Sequence, residues 1–123
     1  MSKKILLVED EEIITALLEK KLRYCGYEVF LARNGEEGLA LARKEMPDLI
    51  VMDLIMPKMN GFMAMAEIQK DEVLKNIPLI IVSNSGQPVE LDEAKRLGAR
   101  DWLIKTEFNP QELVDKVKKQ IGD

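Results

Sequence analysis

Polar side chains follow four short apolar runs of this sequence, at the point where each run ends. They are, in chain order, Glu9 with Asp10 after 5–8, Asp53 after 49–52, Ser83 after 79–82 and Lys105 after 102–104. Together they offer carboxylates, a hydroxyl group and an ammonium group. This set suits transfer of a phosphoryl group onto a carboxylate, because a metal ion and Lys105 neutralise charge on the phosphoryl oxygens while Asp53 attacks in line.

The acidic pair and Asp53 form a candidate metal site. Crowding the carboxylates of Glu9, Asp10 and Asp53 costs free energy unless a cation or a proton relieves the repulsion. Oxygen ligands favour a hard divalent cation, and one or two carboxylates with several waters suit Mg²⁺. Glu11 and Glu12 are interpreted differently, as acids in the first turn of a helix, where they complement the helix dipole.

Short apolar runs without alternation are typical of strands that are covered on both faces. Strands are predicted at 5–8, 28–32, 49–52, 79–82 and 101–104. Helices are predicted at 11–24, 35–45 after an Asn34 cap, 62–70, 89–97 and from 110, with an irregular link at 71–76. The apolar residues at helical spacing in the first of them are Ile14, Leu17, Leu18, Leu22 and Cys25. This alternation predicts an α/β fold, a doubly wound three-layer sandwich around a parallel five-stranded sheet. The polar residues would then meet at the edge where such sheets bind ligands.

The composition is that of one globular domain over residues 1–123, with 46% hydrophobic and 33% charged residues. A net charge of −4 disfavours direct binding to nucleic acid, which needs a basic surface. Histidine is absent, which excludes histidine general-base catalysis and most zinc sites. The single Cys25 excludes an internal disulfide. No apolar run approaches the roughly 20 residues of a membrane span, so we expect no membrane insertion and a cytoplasmic location.

With these motifs the whole chain resembles a response-regulator receiver domain of two-component signalling, close to the stand-alone chemotaxis type. The matching motifs are Glu9-Asp10, the DLIMP segment at 53–57 with Asn60-Gly61 behind it, Ser83, and Lys105 before Phe108. The resemblance implies a flavodoxin-like sheet with strand order 2-1-3-4-5. It also implies a protein that catalyses its own phosphorylation and dephosphorylation and is not a conventional turnover enzyme.

By the same resemblance, Asp53 would accept a phosphoryl group from the phosphohistidine of a sensor histidine kinase or phosphotransfer protein. Asp10, Asp53 and the backbone carbonyl of Ile55 would hold Mg²⁺, and Glu9 would act through water. The new charge would then change the surface that binds a downstream protein partner, whose identity the resemblance leaves open.

The resemblance also assigns the switching elements. Ser83 and Lys105 would each bond an oxygen of the attached phosphoryl group. Trp102 falls at the aromatic switch position, although a large residue half-buried at a sheet edge explains it equally well. The output face would comprise the fourth helix, fifth strand and fifth helix, and the kinase would dock near Ile14 and the loop at 106–108.

Three departures from the family pattern are visible. Glu9 replaces the commoner aspartate, and Asn84 replaces a small residue beside Ser83, where it would narrow access to the site. Thr106 replaces a proline whose preceding bond is typically cis in this family. A cis bond before a non-proline residue costs about 2.5 to 4 kcal/mol, so we expect a trans Lys105–Thr106 bond and a rearranged loop at 106–108.

Other classes of protein share parts of this pattern. A flavodoxin-like electron carrier needs a phosphate-binding first loop, and the acids at 9–12 would repel that anion. A phosphatase of the haloacid dehalogenase type places a second acid two residues after its nucleophile, where this chain has Ile55. The remaining alternative is a receiver-fold binding module that works without phosphorylation, given Asn84 and Thr106.

Overall fold

Five strands and five α-helices alternate along the part of the chain that the computed structural model describes, residues 2–54, 56, 59–84, 88–106 and 109–122. In order they are β1 Lys4–Val8, α1 Glu12–Tyr24, β2 Glu28–Ala32, α2 Gly35–Glu45, β3 Leu49–Asp53, α3 Gly61–Lys70, a 3-10 helix Leu74–Asn76, β4 Leu79–Ser83, α4 Pro88–Arg96, β5 Ala99–Ile104 and α5 Pro110–Ile121. None of the helices in these ranges combines the length and apolarity needed to cross a membrane.

The strands form one parallel sheet in the order β2-β1-β3-β4-β5. This confirms the predicted doubly wound α/β sandwich and its strand order. Every residue of β3 and β4 is buried, because helices cover both faces of a sheet with this topology. The register pairs Val8 with Met52, Asp53 with Val82, and Ser83 with Ile104, so the strands end nearly level with one another.

Alternate residues of each strand enter two separate cores. Leu6, Ile50 and Ile81 belong to the core that contains buried residues of α2, α3 and α4. Their neighbours along the strands, such as Leu7 and Val51, belong to the core that contains residues of α1 and α5. This division follows from the alternation of side chains across a sheet, and it makes the sheet a rigid platform for the loops at its edge.

Asparagine side chains cap three of the helices. The Asn34 side chain accepts a hydrogen bond from the Glu37 backbone N–H at 2.9 Å, which confirms the predicted cap of α2. Asn60 and Asn109 make the equivalent bonds at the starts of α3 and α5. Helix α1 differs, because its N-cap residue Glu11 makes no side-chain cap bond.

We expect Asn34→Ala to lower the free energy of unfolding by about 1 kcal/mol, because the first turn of α2 loses its side-chain acceptor. Urea titration of the parent and the variant measures this change. Asn34→Asp keeps an acceptor at the same position and is expected to stay within a few tenths of a kcal/mol of the parent. Equal losses in the two variants would mean that the cap bond contributes little.

Some boundaries and faces differ from the predictions. Strand β5 begins at Ala99, two residues before the predicted start, and its register with β4 shifts between Leu79 and Ile80. The link at 71–76, predicted to be irregular, contains the 3-10 helix. Leu17, one of the apolar residues at helical spacing in α1, has 52% of its surface exposed. These differences lie at element ends and on one helix face, so they leave the platform unchanged.

Candidate functional site

The candidate site lies at the carboxyl edge of the sheet, the edge formed by the C-terminal ends of the parallel strands. Glu9 follows β1, Asp53 ends β3, Ser83 ends β4 and Lys105 follows β5. The Lys105 backbone N–H donates to the Ser83 carbonyl at 2.7 Å, which continues the β4–β5 ladder by one bond. Four strand ends therefore bring residues from distant parts of the sequence to one place.

The Lys105 ammonium group lies at the centre of the site. Its nitrogen is 2.8 Å from Glu9 Oε1, 2.9 Å from Asp53 Oδ2 and 3.0 Å from Glu11 Oε1. The side chains of Lys105, Glu9 and Asp53 are each only 2% exposed, whereas that of Glu11 is 49% exposed. Buried charges are tolerated when they are paired and hydrogen-bonded, and this group of ion pairs meets that condition.

Burial changes the proton affinity of the acids and of the lysine. Burial raises the pKa of Glu9 to about 7; hydrogen bonds from Lys105 and from the Glu11 N–H oppose the rise, and the Asp53 carboxylate adds to it. Burial also disfavours the charge on Lys105, but its hydrogen bonds to Glu9, Asp53 and Glu11 outweigh burial and raise its pKa above the ordinary value. Lys105 therefore stays charged at neutral pH while Glu9 is poised to exchange a proton.

Glu9, Asp10 and Asp53 form an acid cluster, in which one carboxylate oxygen of each lies within 4.8 Å of the others. Two of these acids are buried and Asp10 is exposed, so the cluster opens to solvent on one side. The donor set consists of oxygens only and carries more negative charge than Lys105 neutralises. These properties fit a hard divalent cation that keeps several waters, such as Mg²⁺. Ile55, predicted to contribute its carbonyl, lies outside the described residues.

Ser83 ends β4 at the carboxyl edge, whereas Trp102 lies two residues before the end of β5. Ser83 is buried at the end of β4, and Asn84 after it is exposed. Trp102 pairs with Ile81 in β5 and is half-buried against the core that contains α2, α3 and α4. This position agrees both with a switch residue and with a large side chain filling a sheet edge, so the role of Trp102 stays a prediction.

The peptide bond after the site lysine is trans, because no cis bond occurs in the described residues, which include Lys105 and Thr106. This confirms the prediction made from the threonine at position 106. The rearrangement predicted for the rest of that loop falls on residues 107 and 108, which lie outside the described residues.

Gly61 allows the connection after β3 to close tightly behind Asp53. Its N–H donates to the Leu54 carbonyl at 2.9 Å. A Cβ atom at this position would lie 2.4 Å from the Asp53 carbonyl oxygen and 2.7 Å from the Leu54 Cα. Any side chain would therefore push α3 away from the strand that carries Asp53.

Glu11 is the site residue that sequence reasoning missed. The sequence pattern assigns it to the helix dipole, but its carboxylate accepts a hydrogen bond from Lys105. Glu12, to which the same interpretation applies, has an exposed side chain whose Oε1 is 3.6 Å from Arg33 Nη2, and it makes no contact with Lys105 that would conflict with that interpretation. In the structure Glu11 is the N-cap residue of α1 and makes no side-chain cap bond, so its carboxylate is available to contact Lys105.

Several known proteins are similar to this chain in sequence. Residues 5–118 match the family model of the response regulator receiver domain. Protein PilH of Pseudomonas aeruginosa is 43% identical over 106 residues, which cover 83% of this chain and 84% of PilH. The probable transcriptional regulator ycf27 of Porphyra purpurea is 38% identical over 115 residues, which cover 94% of this chain and 46% of that protein. The chain thus spans about half the length of the ycf27 regulators that it matches.

Solved structures agree with the sequence relatives. Chemotaxis protein CheY4 of Vibrio cholerae has a TM-score of 0.92 and 32% identity, covering 98% of this chain and 100% of CheY4. The receiver domain of a Pseudomonas aeruginosa sensor histidine kinase, which holds a magnesium ion in its active-site cleft, has a TM-score of 0.90 and 29% identity, covering 100% of both chains. The chain therefore belongs to the response-regulator receiver domains of two-component signalling. Its similarity to PilH and CheY4 extends over most of the length of those proteins.

Proposed function

We propose that this domain is a phosphorylation-dependent signalling switch that accepts a phosphoryl group on Asp53 in a Mg²⁺-dependent reaction. The observation that carries the proposal is the buried Asp53 carboxylate held 2.9 Å from the Lys105 ammonium group, inside the acid cluster. An acceptor, a fixed cation and metal-binding oxygens at one sheet edge are the parts that phosphoryl transfer to a carboxylate requires.

In the proposed reaction, an Asp53 oxygen forms a bond to phosphorus while the phosphorus–nitrogen bond of a donor phosphohistidine breaks. The donor imidazole leaves with the electron pair of that bond. Lys105 stabilises charge on the phosphoryl oxygens, and Ser83 bonds one of them once the group is attached. Glu9, Asp10 and Asp53 would hold Mg²⁺, with the Ile55 carbonyl as a further ligand, and the ion would supply charge neutralisation.

The proposed phosphoryl donor is a sensor histidine kinase or a phosphotransfer protein that docks on α1. Ile14, which the family resemblance places at this contact, is partly buried against the core. Ile13 and Leu17, on either side of it, are exposed, and exposed apolar side chains are what a docking helix needs. The proposed contact therefore centres on these two residues, and the loop at 106–108 is the second docking element that the family resemblance implies.

The proposed output is a changed surface on α4, β5 and α5, which include Trp102, for a downstream protein. Lys116 of α5 donates to Asp101 of β5 at 2.8 Å, and this bond ties the two elements together. A bond from Ser83 to the phosphoryl group would act on the neighbouring β4–β5 edge and favour one of two loop arrangements. The net charge of −4 supports a protein target over direct contact with nucleic acid, and we place the switch in the cytoplasm, without insertion into the membrane.

Acetyl phosphate tests this proposal without knowledge of the kinase. The protein is incubated with acetyl phosphate in Mg²⁺ or in EDTA, and its intact mass is measured. We expect the mass of one phosphoryl group to be added in Mg²⁺ and not in EDTA, and borohydride reduction followed by peptide mapping should locate it at Asp53. An unchanged mass in both conditions would favour the alternative, a receiver-fold binding module that works without phosphorylation.

A further inference from the structure

The hydrogen-bonding capacity of the site lysine is already used in the resting structure. An ammonium group has three N–H donors. Lys105 donates to Glu9, Asp53 and Glu11, all within 3.0 Å of its nitrogen. A phosphoryl oxygen can therefore bond Lys105 only if one of the three carboxylates gives up its place.

The three carboxylates are not equally able to move. Glu9 is buried, and a hydrogen bond from the Glu11 N–H at 3.1 Å fixes its carboxylate. Asp53 is buried and is itself the proposed acceptor. The Glu11 side chain is 49% exposed and reaches Lys105 from the solvent side, while its backbone carbonyl is held by the Thr15 N–H. Its carboxylate can therefore turn into water without disturbing the start of α1.

We propose that Glu11 is a positioning residue that occupies the Lys105 ammonium group in the resting state and yields its place to an oxygen of the incoming phosphoryl group. This inference rests on the proposed function. Glu11 acts through Lys105 and competes with the phosphoryl group for the same N–H donor. The competition slows phosphorylation and keeps the lysine shielded until a donor arrives.

Adjacent acids of the same helix start provide a matched set of variants. Glu11→Ala removes the competitor together with one negative charge. Glu12→Ala removes the same charge one residue away, from a side chain that is 80% exposed and pairs with Arg33 instead of Lys105. Glu11→Asp keeps the charge but shortens the side chain by one methylene, and aspartate at an N-cap bonds the first-turn N–H groups of its own helix.

Phosphoryl incorporation from acetyl phosphate at saturating Mg²⁺ is the first measurement. We expect Glu11→Ala and Glu11→Asp to raise the rate constant about two- to fivefold, the range expected for loss of an ion pair with one exposed partner. Glu12→Ala should react at the parental rate. Equal effects of Glu11→Ala and Glu12→Ala, or a parental rate for Glu11→Asp, would overturn the inference. Either result would mean that the negative charge near the site sets the rate, and not the contact between Glu11 and Lys105.

Modification of Lys105 in metal-free protein is the second measurement, and it does not depend on phosphorylation. The protein is treated with an amine-acetylating reagent, and acetylation of Lys105 is followed by peptide mass spectrometry. Lys105 should be acetylated faster in Glu11→Ala than in the parent, and at the parental rate in Glu12→Ala. Equal acetylation rates would overturn the inference. A parent that gains no phosphoryl group would overturn the proposed function and this inference with it. A phosphorylated parent with Glu11 variants at the parental rate would overturn the inference alone.

Discussion

Asp53→Asn is expected to gain no phosphoryl group from acetyl phosphate at any Mg²⁺ concentration while keeping its fold. The amide is a far weaker nucleophile than the carboxylate, so the acceptor is lost. The substitution also removes one of the three acids of the cluster, and this should weaken Mg²⁺ binding. The fold should survive, because the amide oxygen of the variant side chain can still accept a hydrogen bond from Lys105 and the side-chain volume is nearly unchanged. Intact mass and circular dichroism measure the two parts of this prediction.

A matched control for this substitution exists at the opposite edge of the sheet. Asp48 precedes β3, and its side chain accepts a hydrogen bond from the Lys4 N–H at 2.7 Å, far from the acid cluster along the same strand. Asp48→Asn makes the same chemical change and should be phosphorylated like the parent. Incorporation into Asp53→Asn at the parental rate would place the acceptor at another residue and contradict the assigned chemistry.

The fold was predictable from sequence because its signals are local and repeated. Apolar runs such as 79–82 mark strands that are buried on both faces, and asparagines such as Asn34 mark helix starts with a specific hydrogen bond. The start of β5 was less predictable. Its first residues, Ala99 and Arg100, lack an apolar run; Ala99 is in the strand because it pairs with Leu79 of β4, and Arg100 lies at the register shift that follows.

The residues of the site were predictable only in part. Asp53 ends one strand and Lys105 follows another, so topology alone brings them to the same edge. The contact between Glu11 and Lys105 was not predictable. An acid at position 11 is explained equally well by the helix dipole and by a contact with the lysine, so the sequence does not distinguish the two. Only the three-dimensional path of α1 places this carboxylate, and not that of Glu12, beside the lysine.

The stability of the metal-free protein should fall as pH rises between about 4.5 and 7. Burial raises the pKa of Glu9 in the folded protein to about 7 from the ordinary value of 4.5. The folded state therefore holds a proton that the unfolded state has released, and folding takes up a proton in this range. The stability that this proton contributes is fully present below the pKa of Glu9 in the unfolded protein. It is lost as the pH rises through the pKa of Glu9 in the folded protein. The loss amounts to at most about 3 to 4 kcal/mol, at about 1.4 kcal/mol for each pKa unit.

Urea unfolding in EDTA across this pH range, for the parent and for Glu9→Gln, measures the effect. The variant cannot titrate at position 9 but keeps an oxygen that accepts from Lys105, so its free energy of unfolding should change much less with pH. Glu72→Gln, at an exposed acid paired with Lys75, should keep the parental dependence of the free energy of unfolding on pH. Mg²⁺ should oppose the decline most strongly at the upper end of the range, because metal binding requires deprotonated carboxylates. If the free energy of unfolding of Glu9→Gln changes with pH as it does in the parent, another group causes the pH dependence, and Glu9 is already ionised in the folded protein.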